Sequence, residues 1–266
     1  MRSTLHTVVV AVVAMGIGTM SMWIGPGAFA DVPEALQALA AGDCKRAGDE
    51  VNRGIDRDDA QAYFIAGLLL DTSGCTKNDP AKAARYYQRA AELGDRNAPD
   101  FLGLLHGTGR GVRQDYSAAY RWYVYPRGGE PAAVPLEGVQ ARVAGYAYTV
   151  AHLARPRVKY PRNAERDGVE ATLIAVFDPA SGTVSFDQVR ANAVVGSNIP
   201  KPQPFVDAVS AAYAAAIVEA PPLPEAKSSR LTCRTPWIFK LQRVNLDETV
   251  SSQGVATIGR TEIANR

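Results

Sequence analysis

Histidine and cysteine are scarce in this chain, with three of each in 266 residues. Three cysteines cannot build a dense disulfide framework, and three histidines, one of them at position 6, leave little material for a metal site or a catalytic triad. Neither sign of charge is in excess: 29 Lys+Arg face 27 Asp+Glu, a formal net charge of +2, and no basic run stands out. That balance argues against nucleic acid as the main partner. Beyond the first thirty residues no apolar stretch is long enough to span a bilayer. What the chain does have is a globular composition, 47% hydrophobic, 21% charged and 8% aromatic. This excludes a mostly disordered chain, and the length suits one or two domains with a sizeable core.

The first thirty residues set the expected compartment. Met1–His6 carries Arg2 and the terminal amine, and Thr7–Ile24 follows without a charge. Gly25, Pro26 and Gly27 then break any helix, and Ala28-Phe29-Ala30 has the small-x-small form of a signal peptidase site. The segment reads as a secretory signal peptide, residues 1–30, cleaved between Ala30 and Asp31. An uncleaved membrane anchor is the alternative. In both cases the rest of the chain faces an oxidising, extracytoplasmic space.

The first half repeats itself. Pairs of the form Asp-x-x-x-Ala occur at 43/47, 79/83 and 115/119, a period of 36. Gly67 and Gly103 keep that offset, as do Ala62 and Ala98, and Leu69 and Leu105. Each unit reads as a helix hairpin. Asp79 is a good N-cap and Pro80 suits the first helical position. Ala83, Tyr87, Ala90 and Ala91 form one apolar stripe, with Lys82, Arg85, Arg89 and Glu92 facing away. Gly94 ends that helix; Ala98–His106 forms the next, and Gly107–Gly111 turns the chain back.

Residues 43–125 resemble Sel1-like repeats, relatives of the tetratricopeptide repeat. The resemblance rests on Ala98-Pro99-Asp100-Phe101-Leu102-Gly103, on Gly107-x-Gly109-x-Gly111-Val112, and on Asp115-x-x-x-Ala119-x-x-Trp122-Tyr123. The first unit departs from the pattern at Cys75, which stands where Gly111 stands in the second, and the third stops at Pro126. A short array needs capping, and Leu136–Leu153, with Val139, Val143, Tyr146 and Val150 on one side, is the expected cap. Cys44 opens one helix and Cys75 follows the end of the next, antiparallel one, so both lie at the same end of adjacent helices. A disulfide there is expected, with two buried thiols as the alternative. It would contribute about 3–4 kcal/mol on the chain-entropy model. Cys233 is left over, as a buried structural thiol in a strand-like run.

After Pro156 the period changes. Gly168–Asp178 alternates Val169, Ala171, Leu173, Ala175 and Phe177 against Glu170 and Thr172, a strand. Pro179-Ala180-Ser181-Gly182 is a turn, and Thr183–Val189 completes a hairpin. Phe205–Val218 is an alanine-rich helix stopped by Pro221-Pro222, and Arg230–Leu241 is a third strand. This half, 155–243, is similar to the C-terminal domain of the TonB family of envelope energy transducers. The carrying residues are Tyr160-Pro161-x-x-Ala164 with Gly168, the hairpin with Ser181-Gly182 in its turn, the helix before Pro221, and Trp237-x-Phe239-x-Leu241. Val194–Pro204 departs from the family's form, and the helix lacks its usual aromatic near the end. The resemblance implies a two-layer domain that binds an extended peptide by strand addition at its last strand. Residues 244–266 are polar without an apolar period and are expected to be a loose tail.

No Cys–His spacing matches a zinc site, and no nucleophile elbow, phosphate loop or His-Glu-x-x-His occurs. His106 and His152 read as structural. The expected fold class is therefore two-part, α and α+β: a signal peptide (1–30), a Sel1-like α-solenoid with its cap (31–154), a β-β-α-β TonB-like domain (155–243) and a tail (244–266). The expected function is a non-catalytic, cofactor-free protein–protein interaction scaffold in the periplasm of a Gram-negative bacterium. Its repeats would bind a protein partner. Trp237 and Phe239 would line a peptide-binding sheet edge, and Tyr160 and Pro161 would fix the segment leading into the domain. Two alternatives stand. One is a membrane-anchored TonB-like energy transducer serving outer-membrane transport, in contact with an outer-membrane receptor and an inner-membrane complex. The other is an envelope assembly scaffold acting through the repeats alone. Membrane contact is expected only if the leader is uncleaved.

Overall fold

The computed structural model describes residues 31–126, 136–193, 201–246, 249–258 and 261–265. The expected leader and the Ala30 side of its cleavage site lie outside these residues, as do Val194–Pro200 of the expected linker. The chain divides into two compact units, Met1–Pro135 and Leu136–Arg266.

The first unit is helical: α1 (Asp31–Ala40), α2 (Cys44–Ile55), α3 (Ala60–Asp71), α4 (Pro80–Glu92), α5 (Ala98–Thr108) and α6 (Tyr116–Tyr123). Successive helices pack as antiparallel neighbours. The period of 36 returns as a period of caps. Asp43 accepts from the Arg46 amide, Asp79 from that of Lys82, and Asp115 from those of Ser117 and Ala118. Each carboxylate satisfies amides that a helix start leaves unpaired. The expected stripe of Ala83, Tyr87, Ala90 and Ala91 is fully buried on α4.

The second unit opens with α7 (Gly138–Ala154). The short α8 (Arg162–Arg166) leads into β1 (Val169–Asp178) and β2 (Thr183–Ala193). Then come α9 (Gln203–Glu219), β3 (Leu231–Leu246), β4 (Thr249–Ile258) and β5 (Glu262–Asn265). The sheet is antiparallel in the order β2-β1-β3-β4, with β5 also on β3. Ala171, Leu173, Ala175 and Phe177 of β1 are buried on one face with Cys233, Thr235, Trp237 and Phe239 of β3. The alternation of period two carries this directly. Arg157 joins the two helices, donating to the Leu153 carbonyl and to Glu219.

Three expectations are corrected here. The helix expected to cap the repeats, Leu136–Leu153, belongs to the second unit, where α7 packs on α9 and β3. Its small residues bury nearly all of its circumference, so it is a core helix rather than an amphipathic lid. Val139, expected inward, is 47% exposed. The expected tail, 244–266, instead supplies the end of β3, all of β4 and β5. The second strand also runs on to Ala193. A bulge at Gln188, with φ +50°, shifts the register so that Ala191 pairs with Ala171, on the same face of the sheet.

Candidate interaction surface

Two glycine–tyrosine pairs lock the helical hairpins. A Cβ on Gly67 would lie 2.3 Å from the Tyr87 ring, and one on Gly103 would lie 2.5 Å from the Tyr123 ring. Each pair is separated by twenty residues, and the two pairs by the period of 36. The glycine is a hole into which the ring of the following helix fits. Tyr87 also meets Phe64 at 5.8 Å and Phe101 at 5.1 Å between centroids, and Phe64 meets Phe101 edge-on at 5.2 Å.

Cys44 and Cys75 form a disulfide, with Cα atoms 5.2 Å apart. The two residues sit at the start of α2 and just after α3, at the same end of adjacent helices. Gly111, where Cys75 stands in the first unit, has φ +74° and lies against the backbone of Pro80 and Ala81. In the first unit the left-handed position moves back to Gly74, at φ +71°, which frees the next residue to be a cysteine.

On the solvent side of α3 and α4 lies a patch that the sequence reading did not single out. The rings of Tyr63 and Tyr86 stand 6.2 Å apart. The Arg89 guanidinium lies 5.9 Å from the Tyr63 ring centre, and the Lys82 ammonium 5.8 Å from that of Tyr86. Asp58 accepts from Arg89 at 3.1 Å and from the Tyr63 hydroxyl at 3.2 Å. The hydrogen bond from Arg89 holds the Asp58 carboxyl below its ordinary pKa. The signal in the sequence was Tyr86, an aromatic one residue off the apolar stripe, among the cations assigned to the outer face.

The expected site residues of the second unit fall out differently. Tyr160 packs edge-on to Phe205 at 5.6 Å and to Phe239 at 5.7 Å, and its hydroxyl donates to the Val169 carbonyl at 2.6 Å. Burial, with Glu170 and Glu165 nearby, raises its pKa. Pro161 precedes α8, where its fixed φ starts a helix. This pair therefore fixes the segment leading into β1. Trp237 and Phe239 are fully buried on the helix-facing side of β3. Nor is β3 an edge. It is bonded to β1 through Cys233–Phe239 on one side, and to β4 and β5 on the other. The expected peptide-binding edge is closed by the very residues expected to be a tail. The sheet's outer strands are β2 and β4.

Cys233 is buried, and burial pushes its thiol up to about 12. His106, in the last turn of α5, is half-buried, and burial lowers its pKa. His152 lies in the last turn of α7. Among the described residues no cluster of three His, Cys, Asp or Glu could hold a metal ion. No described helix is long and apolar enough to cross a membrane.

Comparison with known families matches the Sel1 repeat to residues 60–95 and 101–124. The chain carries Sel1 repeats. The first matched stretch spans α3 and α4, and the second spans α5 and α6. Sel1 repeats generally mediate protein–protein interaction, and the proteins that carry them are generally non-catalytic scaffolds. No curated protein and no solved structure matches the chain. The TonB-like reading of 155–243 has no counterpart among these matches.

Proposed function

We propose that this chain is a non-catalytic periplasmic interaction scaffold whose Sel1 repeats, through the Tyr63–Tyr86 surface, bind a protein of the envelope. The observation that carries this reading is the pair of matched repeats, a class whose general use is protein binding. The surface has the composition of an interface: two tyrosines, with an arginine and a lysine over their rings. The disulfide supports an oxidising compartment, as does the leader pattern with its Ala30–Asp31 junction. Strand addition at Trp237 and Phe239 is not part of the proposal, since β3 is paired there with β1 on one side and β4 on the other.

Two measurements test it. A photo-crosslinking residue is placed at Tyr86, and in a second variant at Val218, which is 87% exposed on α9 of the other unit. Crosslinks from position 86 and none from 218 support binding through the repeats; the reverse pattern overturns it. The N-terminus and intact mass of protein from fractionated envelopes, kept free of reductant, test the compartment. A soluble species that starts at Asp31 and is two mass units light for one disulfide is the expected result. A second reading, the anchored TonB-like transducer, draws on the strand-strand-helix-strand order of β1, β2, α9 and β3. A membrane-bound species that keeps residues 1–30 would reverse the ranking in its favour.

A further inference from the structure

The junction between the two matched repeats holds a buried carboxylate that the scaffold reading does not use. Asp71 is the last residue of α3, and its side chain is only 1% exposed. Its Oδ2 accepts from the Arg110 guanidinium at 3.0 Å and from the Tyr87 hydroxyl at 3.5 Å. Its Oδ1 is buried without a partner, as is the hydroxyl of the neighbouring Thr72. A carboxylate with one bare oxygen is a costly thing to bury, since its lost hydration is only half replaced. Arg110, by contrast, is 44% exposed, so water can take over its hydrogen bonds.

The repeat period shows that this pair is not a general feature of the array. Thirty-six residues after Asp71 stands Gly107, and thirty-six before Arg110 stands Gly74. Both members are departures from the repeat, one in each unit, and they meet where the end of α3 faces the turn after α5. The groups facing Asp71 are Arg110 from that turn and Tyr87 from α4.

We propose that Asp71 and Arg110 form a proton-operated clamp across the repeat junction. Ionised, Asp71 draws the Arg110 guanidinium onto the end of α3. Protonated on the bare Oδ1, it stays buried as a neutral acid and releases Arg110 to water. Two effects oppose one another at this site: burial raises the pKa of Asp71 from the usual 3.8, and Arg110 lowers it, with burial the larger. The folded chain therefore binds this proton more tightly than the unfolded chain does. This group's contribution to stability is then greatest below the unfolded value of 3.8. It is lost as pH rises through the raised folded value.

The test is an NMR titration of the intact protein, following the Asp71 side-chain carboxyl carbon and the Arg110 Nε signal. The expected result is an Asp71 midpoint above 3.8, with the Arg110 signal moving at the same midpoint. In Asp71→Asn the Arg110 signal should stay at its acid position at every pH. In Arg110→Gln the Asp71 midpoint should move further up, because the opposing cation is gone. An Asp71 midpoint at or below 3.8, or an Arg110 signal that ignores it, would overturn the clamp. The wild-type titration decides this alone if either variant fails to fold.

Discussion

Gly67→Ala is the sharpest test of how the repeats are held together. The new methyl would lie 2.3, 2.5 and 2.9 Å from three carbons of the Tyr87 ring. All three distances are inside van der Waals contact. The ring has nowhere to retreat, because Tyr87 is fully buried with Phe64 and Phe101 close to it. Overpacking of this kind costs about 1–3 kcal/mol. Alanine in a helix interior returns about 0.5–1 kcal/mol of backbone entropy relative to glycine. The net expectation is a loss of up to about 2.5 kcal/mol, centred near 1 kcal/mol, read from urea denaturation followed by circular dichroism. Gly48→Ala is the control. Gly48 also sits inside a helix, α2, but a Cβ there meets nothing within 4 Å. That variant should gain about 0.5–1 kcal/mol. Repeating Gly67→Ala in a Tyr87→Leu background should abolish the penalty, because the clashing ring is absent. A Gly67→Ala protein as stable as wild type, beside a stabilised Gly48→Ala, would refute the lock of glycine and ring.

Reducing the Cys44–Cys75 disulfide, which joins residues 31 apart, should lower the stability of the first unit by about 3–4 kcal/mol on the chain-entropy model, seen as a shifted urea midpoint with and without reductant. Tyr160→Phe loses the hydrogen bond to the Val169 carbonyl but keeps the ring, so it should cost about 1 kcal/mol; Tyr160→Ala, which empties the space between Phe205 and Phe239, should cost about 3–5 kcal/mol in the same assay. With its thiol buried and held up to about 12, Cys233 should resist alkylation at pH 8 in the native protein and react once per chain in denaturant. Truncation after Leu246 removes β4 and β5 and leaves Trp237–Leu246 of β3 with an open edge; the truncated protein should self-associate in analytical ultracentrifugation while the full chain does not.

The sequence made legible what is local and periodic. Asp79 and Pro80 announced a helix start, and the stripe on α4 followed from the spacing of its alanines and Tyr87. The disulfide followed from placing Cys44 and Cys75 at the same end of two antiparallel helices, which the repeat alone supplies. In the second unit, the alternation from Val169 to Phe177 marked both the strand and its buried face, and Ser181-Gly182 marked the hairpin turn, where Gly182 takes φ +67°. What stayed hidden depends on distant partners. Thr249–Ile258 has no strong alternation of its own and reads as a polar tail. It becomes a strand because β3 runs on past Leu241 and pairs with it at ten positions, Trp237–Leu246. The same coverage explains why Trp237 and Phe239 were misread. Their alternation identified a strand with one apolar face, but nothing local distinguishes a central strand from an edge. Α7 misled for a related reason: its stripe of Val139, Val143, Tyr146 and Val150 looks amphipathic, yet the small residues between them are buried as well.

The closed β3 edge shifts the weight of function onto the repeats. A strand-addition site needs unpaired amides and carbonyls in a row, and β3 has none to offer along its paired length. Of the two outer strands, β2 carries the bulge at Gln188, a device that twists an edge away from flat pairing with another chain. Asp187 beside it is engaged by Arg234 at 2.7 Å. A partner approaching β2 would therefore meet a bent backbone and a charge already paired. The helical unit presents the opposite situation. Its stability is internal, from the disulfide, the Asp caps and the glycine–ring locks, none of which uses the outer face of α3 and α4. Tyr63 and Tyr86 on that face are only partly buried against the core, and Asp58, Lys82 and Arg89 engage them from the solvent side. Replacing Tyr86 should accordingly reduce partner binding with little effect on the urea midpoint, whereas replacing Tyr87, one residue away and turned inward, should do the reverse. Equal stability losses for the two substitutions would show that the outer face is part of the fold rather than a surface available for binding.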